Sequence, residues 1–155
     1  MSALVQTDAF SPTLAYEALL NECPGAAAAT FCGYVRDFSD TGAVHLLELE
    51  HYPGMAEQVL AQLGERALVR FELRAWRIIH RYGPLAVNEP IVWVAAIADH
   101  RANAFAACEF MMDTLKTNAP FWKREHTERG AQWLSARASD ARRDERWAEV
   151  MSIEK

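Results

Sequence analysis

The run EPIVWVAAIA, residues 89–98, decides the fold of this 155-residue chain. Every side chain after Glu89 is apolar, and the length of the run suits one strand. A strand with apolar side chains on both of its faces is buried on both, so the run predicts the centre of a covered sheet. Asp99 and His100 follow, and the spacing of apolar residues beyond them predicts a helix over residues 101–117.

Three more strands are predicted upstream of this centre. Residues 73–80 (LRAWRIIH) are strand-like, and a turn region at Gly83-Pro84 joins them to the central strand. Residues 27–36 and 43–52 are two further β-prone segments, and the sequence DFSDTG between them supplies turn residues. We therefore expect these two segments to form a hairpin.

Helical patterns separate the strands. Ser11-Pro12 combines an N-cap residue with a proline at the first helical position and predicts a short helix that ends at Pro24-Gly25. A second helix opens at Pro53, and its apolar stripe should cover a sheet: Met55, Val59, Leu63 and Ala67. The helix over residues 101–117 carries a stripe of its own, and Pro120 prevents its continuation: Phe105, Cys108, Met112 and Leu115.

The last part of the chain predicts a hairpin and a helix. Residues 121–128 and 132–136 flank Arg129-Gly130, which suits a tight connection between two strands. Residues 139–150 are highly charged and helical in pattern, with Trp147 as the expected anchor to the core. No internal repeat or low-complexity linker interrupts the pattern, and the sum predicts an α+β fold.

The composition describes one domain over residues 1–155, with residues 137–155 as a charged C-terminal tail or helix. A hydrophobic content of 51% supplies the apolar surface for a core. The net charge of −5 argues against a general nucleic-acid binder. No basic leader and no membrane-length apolar run is present, so we expect a cytoplasmic protein without a membrane partner. The cysteines form no CxxC pair and the histidines show no metal-ligand spacing, so we expect no metal or other cofactor.

Cations stand at the ends of predicted elements despite the negative net charge. Arg36 ends a strand, and His100 and Arg101 lie where the central strand passes into a helix. The stretch LKTNAPFWKRE places Lys116 and Lys123 on either side of a proline. Free N–H groups at a helix start favour anions, and arginine is a bidentate donor to phosphate. Because element ends can converge on one mouth, these residues are candidates for an anion site.

Ordinary surface roles are the alternative for the same residues. Lys116 can complement the dipole at the C-terminus of its helix, and His100 can cap the next helix start. Arg36 and Arg101 can simply face water. These alternatives stay open on the residues alone.

Several stretches together resemble the large, catalytic subunit family of molybdopterin synthase. They are GYVRD, LELEHYPGM, HRYGPL, ADHRANAF, MMDTLKTNAPFWKRE and QWLSAR, which follow the order of the family over residues 27–137. The resemblance implies an α/β hammerhead-type domain with a small additional antiparallel β subdomain.

The resemblance also implies sulfur transfer. In this family a small ubiquitin-like sulfur-carrier subunit bears a thiocarboxylate on its C-terminal Gly-Gly tail and threads that tail into a pocket of the large subunit. Two sulfurs pass to cyclic pyranopterin monophosphate, which becomes the dithiolene molybdopterin as the cyclic phosphate opens. The large subunits form a homodimer within a heterotetramer.

The family's site residues carry over onto matching positions. The resemblance makes Lys116 and Lys123 the catalytic lysines, and Arg137 falls near a further arginine of the family. Relatives can have lysine where this chain has Tyr34, and a backbone contact there survives the change. Substrate binding is implied for nine positions: Tyr34, Val35, Arg36, His100, Arg101, Lys116, Lys123, Arg124 and Glu125.

The chemistry explains why cations would gather. The pterin phosphate and the thiocarboxylate are both anionic, so they repel each other unless positive charge offsets the repulsion. We expect Arg36, His100 and Arg101 to hold the phosphate. Lys116 would face the thiocarboxylate and stabilise charge on its carbonyl, while Lys123 would position the pterin or move a proton.

Two alternatives belong to other classes. A non-catalytic adaptor that docks a ubiquitin-like sulfur-carrier protein would need the tail-binding surface but not the phosphate-binding cations. A persulfide sulfurtransferase would need a thiol in the pocket with a base beside it. The cations favour the enzyme over the adaptor, and the setting of the cysteines gives the persulfide route no support.

Overall fold

The structure is a computed structural model that describes residues 1–40, 42–134 and 138–149. Two sheets and four helices make up this described part. In chain order the elements are β1 (Ser2–Gln6), α1 (Pro12–Glu22), β2 (Ala27–Tyr34), β3 (Phe38–Ser39), β4 (Gly42–His51), α2 (Met55–Arg70), β5 (Leu73–Arg81), β6 (Gly83–Ala86), β7 (Pro90–Ala98), α3 (Arg101–Asn118), β8 (Phe121–Thr127), β9 (Gly130–Leu134) and α4 (Ala138–Glu149).

The first sheet has the strand order β1-β5-β7-β2, with β7 inside it as predicted. β1 runs parallel to β5, and the other neighbours are antiparallel. Both faces of β7 are buried, which confirms the prediction from its apolar run. One face joins the core beneath α2 and α3 through Val92, Val94, Ala96 and Ala98. The other joins the core beneath α1 through Trp93, Ala95 and Ile97.

The helices cover this sheet, but the predicted stripe of α2 is only partly correct, because Leu63 and Ala67 are buried whereas Met55 is 49% exposed. In α1, the Ser11 hydroxyl accepts a hydrogen bond from the Leu14 backbone at 3.3 Å, so Ser11 is the N-cap. In α2, Gly64 lies so close to the Trp76 ring that an added Cβ would meet ring atoms at 2.3 Å. Glycine therefore sets the distance between this helix and the sheet.

The predicted stripe of α3 is only partly correct. Cys108 and Leu115 are buried, but Phe105 is 67% exposed. The face that packs in the core mixes small and large residues: Ala104, Ala107, Cys108, Phe110, Met111 and Leu115. Phe105 therefore lies on the outward side of α3.

The second sheet has five strands in the order β3-β4-β8-β9, with β6 also paired to β4. Its inner face holds a separate core of Val35, Leu47, Leu49 and Leu85. The hairpin predicted around Arg129-Gly130 is confirmed as β8 and β9. The Gly83-Pro84 region is not only a turn, because it forms strand β6 against β4.

The predicted hairpin between residues 27–36 and 43–52 is wrong. β2 pairs with β7 over its whole length, from Ala27 opposite Ala98 to Tyr34 opposite Pro90. The turn residues between the two segments instead connect the two-residue β3 to β4. β1 was not predicted, because its partner β5 lies far along the chain and no local turn signals the pairing.

The C-terminal helix α4 is close to its predicted bounds, and Trp147 anchors it. The Trp147 ring contacts the rings of Phe71 and Phe110, with centroids 5.9 and 5.5 Å apart. Residues 135–137, which include Arg137, and residues 150–155 lie outside the described part of the chain. Within the described ranges, none of the helices has the length and apolar character needed to cross a membrane.

Candidate functional site

The two predicted catalytic lysines lie at one end of the first sheet, where β2 ends and β7 begins. We call this the lysine end. α3 starts directly after β7 and packs back along β7 and β2, so its last turn, which carries Lys116, returns to the lysine end. The chain then turns at Pro120 into β8, which carries Lys123.

Lys116 borders a groove of about 300 Å³ between α3 and β2. The walls are mainly apolar along the middle of the groove, where Phe31 and Phe105 are 43% and 67% exposed. Acidic and basic side chains from α3 and α4 share the walls with Lys116: Glu109, Asp113 and Arg143. An extended chain segment or an apolar side chain from another protein fits a groove of this kind.

Lys123 lies near a group of three rings, of which His80 is buried. The Phe121 ring stacks on His80 at 3.9 Å and lies 6.0 Å from the His51 ring. His80 Nδ1 donates a hydrogen bond to the Arg81 carbonyl at 2.8 Å. Burial, and to a lesser extent the positive charge of Lys123 and of the nearby His51, together lower the pKa of His80 to about 4. His80 is therefore neutral near pH 7.

The segment from Tyr34 to Arg36 leads from the first sheet into the second. Tyr34 is 50% exposed, and Arg36 is exposed as well. Val35 is buried in the second core, and its backbone hydrogen-bonds Glu89 and Asn88 at 2.9 Å each. The Val35 side chain thus fixes its neighbours in place, while Tyr34 and Arg36 are open to a ligand.

Arg124 and Glu125 alternate across β8. Arg124 faces outward, donates two hydrogen bonds to Glu48 at 3.0 and 2.5 Å, and stacks on the Trp133 ring at 4.9 Å. Glu125 faces inward and is 7% exposed, and its Oε2 has no hydrogen-bond partner among the described residues. In this chain Arg124 is engaged in cross-strand contacts, whereas Glu125 retains unused hydrogen-bonding capacity.

His100 and Arg101 lie at the opposite end of the first sheet. They follow the last residue of β7, and β7 has nine residues, so its two ends are roughly 25 Å apart. His100 is the N-cap residue of α3 but makes no side-chain capping bond to any described residue. Both side chains are exposed. Arg36, Lys116 and Lys123 therefore share one end of the chain's sheet, and His100 and Arg101 do not join them within one chain.

The sequence analysis did not predict the ring group of His80, His51 and Phe121, because it tested the histidines only for metal-ligand spacing. The sequence feature that could have indicated the group is that His80 and His51 each stand at the end of a predicted strand, next to aromatic residues. Among the described residues, no three His, Cys, Asp or Glu side chains lie close enough to share a metal ion.

The fold and this site define a two-sheet α+β protein with Arg36, Lys116 and Lys123 at one end of its first sheet and a groove between α3 and β2. The chain belongs to the MoaE protein family, which matches residues 5–118. The predicted fold class is confirmed, with the helix-covered sheet and the separate antiparallel sheet as the two predicted parts.

The similar proteins are molybdopterin synthase subunits and MoaE structures. The chain is 50% identical to the molybdopterin synthase catalytic subunit of Ralstonia nicotianae over 124 residues, which cover 80% of this chain and 70% of that protein. It is 45% identical to the catalytic subunit of Pseudomonas aeruginosa over 150 residues, which cover 96% and 100%. The solved MoaE protein of Burkholderia ambifaria superposes with a TM-score of 0.81 at 43% identity, covering 95% of this chain and 97% of that one.

Proposed function

We propose that this chain is the catalytic subunit of a molybdopterin synthase. It takes sulfur from the C-terminal thiocarboxylate of a small ubiquitin-like partner and passes it to cyclic pyranopterin monophosphate. The observation that carries the proposal is the shared placement of Arg36, Lys116 and Lys123 at the lysine end, beside an open groove. Membership of the MoaE family supports it, since relatives over most of this chain's length are molybdopterin synthase catalytic subunits.

The proposed roles follow from charge. The sulfur of the thiocarboxylate bonds to a carbon of the pterin side chain as the bond from that carbon to a cyclic-phosphate oxygen breaks, so the opened phosphate is the leaving group. Water then cleaves the resulting thioester and leaves a carboxylate on the partner's tail. A second thiocarboxylate supplies the other sulfur in the same way, and the side-chain oxygen that it replaces leaves as water. Lys116 stabilises the oxyanion that forms at the tail carbonyl. Lys123 holds the pterin or moves a proton, and the neutral His80 near it adds no competing positive charge. Arg36 binds the phosphate.

The placement of His100 and Arg101 supports a homodimer. In the described part of the chain, β2 is the last strand of its sheet, and exposed Phe31 and Phe105 lie beside it. A two-fold axis through the middle of this edge sets the lysine end of one protomer against the opposite end of the other. His100 and Arg101 of the second protomer then complete the anion site beside Arg36 and Lys116 of the first.

Mixing two inactive variants tests both the function and the dimer. Lys116→Ala and Arg101→Ala are purified separately, then mixed and allowed to exchange subunits. Dithiolene product is measured by mass spectrometry with thiocarboxylated partner and cyclic pterin. A hybrid dimer has one site with both substitutions and one intact site, so the mixture should recover about a quarter of wild-type turnover.

The matched control is a mixture of Lys116→Ala with Lys123→Ala. Both lysines belong to the same end of one chain, so every hybrid site has a substitution and no recovery is expected. Equal recovery in the two mixtures would contradict the shared site. Lys116→Ala alone should bind the partner yet lose about a hundredfold in turnover, and near-normal turnover would contradict the proposed role of Lys116.

A non-catalytic adaptor is the alternative function. It predicts that the wild-type chain binds the small partner and forms no dithiolene product from the cyclic pterin. The cations at the lysine end favour the enzyme, because docking a protein tail requires no second anion site.

A further inference from the structure

The last turn of α3, which carries Lys116, is held weakly by its own backbone. Ala119 donates to the Leu115 carbonyl at 3.2 Å, but Pro120 has no N–H to offer the Lys116 carbonyl. Ala119 has an extended backbone instead of the left-handed glycine conformation that commonly closes a helix. Phe121 donates to Ala119 at 2.8 Å and so does not close the helix either. A local side-chain bond, from the Thr117 hydroxyl to the Asp113 carbonyl at 3.2 Å, adds to the backbone bonds of this turn without capping its last carbonyls.

A carboxylate from α4 bridges the same turn. Asp144 accepts a hydrogen bond from the Thr114 hydroxyl at 2.9 Å through one oxygen and from the Asn118 amide at 2.8 Å through the other. Thr114 and Asn118 are four residues apart and stand on either side of Lys116 in the sequence. A negative charge near a helix C-terminus opposes the helix dipole, so Asp144 is poorly suited to stabilise a helix in general. Its two hydrogen bonds instead hold one turn in one geometry.

α4 is itself fixed to the core by contacts other than those of Asp144. Trp147 packs among aromatic rings and donates through Nε1 to buried Asp113 at 2.9 Å. Arg146 donates to the same Asp113 oxygen at 2.6 Å, and Arg70 donates to the Trp147 carbonyl at 2.8 Å. Asp144 therefore projects from an anchored helix onto a weakly held one.

We propose that Asp144 is a positioning residue for Lys116, acting as a clamp on the last turn of α3. The proposal rests on the function proposed above for Lys116. Freed from Asp144, the turn samples several geometries, and the Lys116 ammonium spends less time at the position where the oxyanion forms. The simpler alternative is that α4 only covers apolar surface, in which case Trp147 matters and Asp144 does not.

The test combines hydrogen exchange with kinetics on the complete chain. For Asp144→Ala, amide exchange over residues 115–119 should rise about tenfold, because two hydrogen bonds to a charged group are lost. With thiocarboxylated partner and cyclic pterin, kcat should fall roughly 10- to 100-fold while KM stays within about twofold. Glu145→Ala, an exposed acidic neighbour on the same helix, is the matched control and should change neither quantity.

Exchanging the two hydrogen-bonding side chains at positions 118 and 144 gives a sharper test. Asn118→Asp alone sets two carboxylates against each other and should resemble Asp144→Ala. The double variant Asn118→Asp with Asp144→Asn keeps the hydrogen bond from the Thr114 hydroxyl to an oxygen at position 144 and reverses donor and acceptor in the bond between positions 118 and 144. It should recover exchange protection and kcat together. Thermal unfolding of every variant should stay near that of wild type, whereas Trp147→Ala should unfold at a clearly lower temperature, because it removes a packed ring.

Two results would overturn the clamp: unchanged exchange in Asp144→Ala, or faster exchange with kcat within twofold of wild type. Failure of the underlying function is distinguishable, because it appears as normal turnover in Lys116→Ala whatever Asp144 does. Recovery of both properties in the double variant excludes a purely structural role, since a general packing defect is not repaired by reversing one hydrogen-bond pair.

Discussion

Replacing His80 by phenylalanine should make the stability of the protein less sensitive to acid. His80 is 6% exposed, stacks on Phe121, and has a pKa lowered from 6.5 to about 4, first by burial and then by the charges of Lys123 and His51. The unfolded chain takes up a proton on this histidine near pH 6.5, whereas the folded chain resists it until about pH 4. The folded state therefore loses stability as the pH falls between these values.

The magnitude follows from the difference between the two pKa values. Over the whole interval from 6.5 to about 4 it corresponds to roughly 3 kcal/mol, of which about 2 kcal/mol is lost by pH 5. Phenylalanine keeps the stacked ring but leaves the Arg81 carbonyl without its donor, so His80→Phe should be less stable at pH 7.5 by about 1–3 kcal/mol. At pH 5 the difference in stability between wild type and His80→Phe should be about 2 kcal/mol smaller than at pH 7.5.

Urea unfolding at pH 7.5 and pH 5 measures both quantities. Acid effects on other groups are common to both proteins and cancel in the difference. His45→Gln, whose ring is exposed, is the control and should keep the wild-type pH dependence. An equal loss of stability in wild type and His80→Phe would refute the reasoning, because it would mean that the buried ring takes up its proton at the same pH whether the chain is folded or not.

Three further predictions concern the scaffold. Gly64→Ala, normally favourable in a helix by about 1 kcal/mol, should here lower the free energy of unfolding by about 1–2 kcal/mol, because the new methyl group meets Trp76; a raised melting temperature would contradict it. Arg124, and then His126, lower the pKa of the Glu48 carboxyl, so the stability that Glu48 adds is present above pH 4.5 and is lost as the pH falls below it. Glu48→Gln should therefore be less stable than wild type at pH 7 by urea unfolding. A difference in stability that is as large at pH 3 as at pH 7 would argue against the Glu48–Arg124 ion pair. Ser11→Ala should cost about 0.5–2 kcal/mol in the same assay through the lost helix cap, and an unchanged unfolding midpoint would show that the cap is replaced by water.

The sequence predicts the elements of this fold better than their partners. β7 is recognisable because an uninterrupted apolar run is compatible with few environments, and the helices are recognisable by their caps and stripes. The pairing of β2 was predicted wrongly because DFSDTG is a real turn signal, but it serves the two-residue β3. Turn chemistry identifies where the chain reverses and not which strand lies on the far side.

The same limit, that the sequence shows elements but not which of them lie together, applies to the candidate site. Lys116 and Lys123 are close in sequence, and the proline between them makes their shared placement readable. His100 and Arg101 are equally visible as a strand-to-helix junction, yet the antiparallel pairing of β2 with β7 puts that junction at the opposite end of the sheet from Arg36. The spacing of residues in the sequence therefore shows which cations stand at the ends of elements but not which of those ends lie together.

The strand order of the first sheet also determines when its strands can pair while the chain is being synthesised. Its two edge strands, β1 and β2, are made first, and both of their partners, β5 and β7, come tens of residues later. At about 5–20 residues per second, β2 waits several seconds for β7 while α1 and α2 have no sheet to cover. A nascent chain halted before residue 98 is therefore expected to need chaperone protection that the finished chain does not.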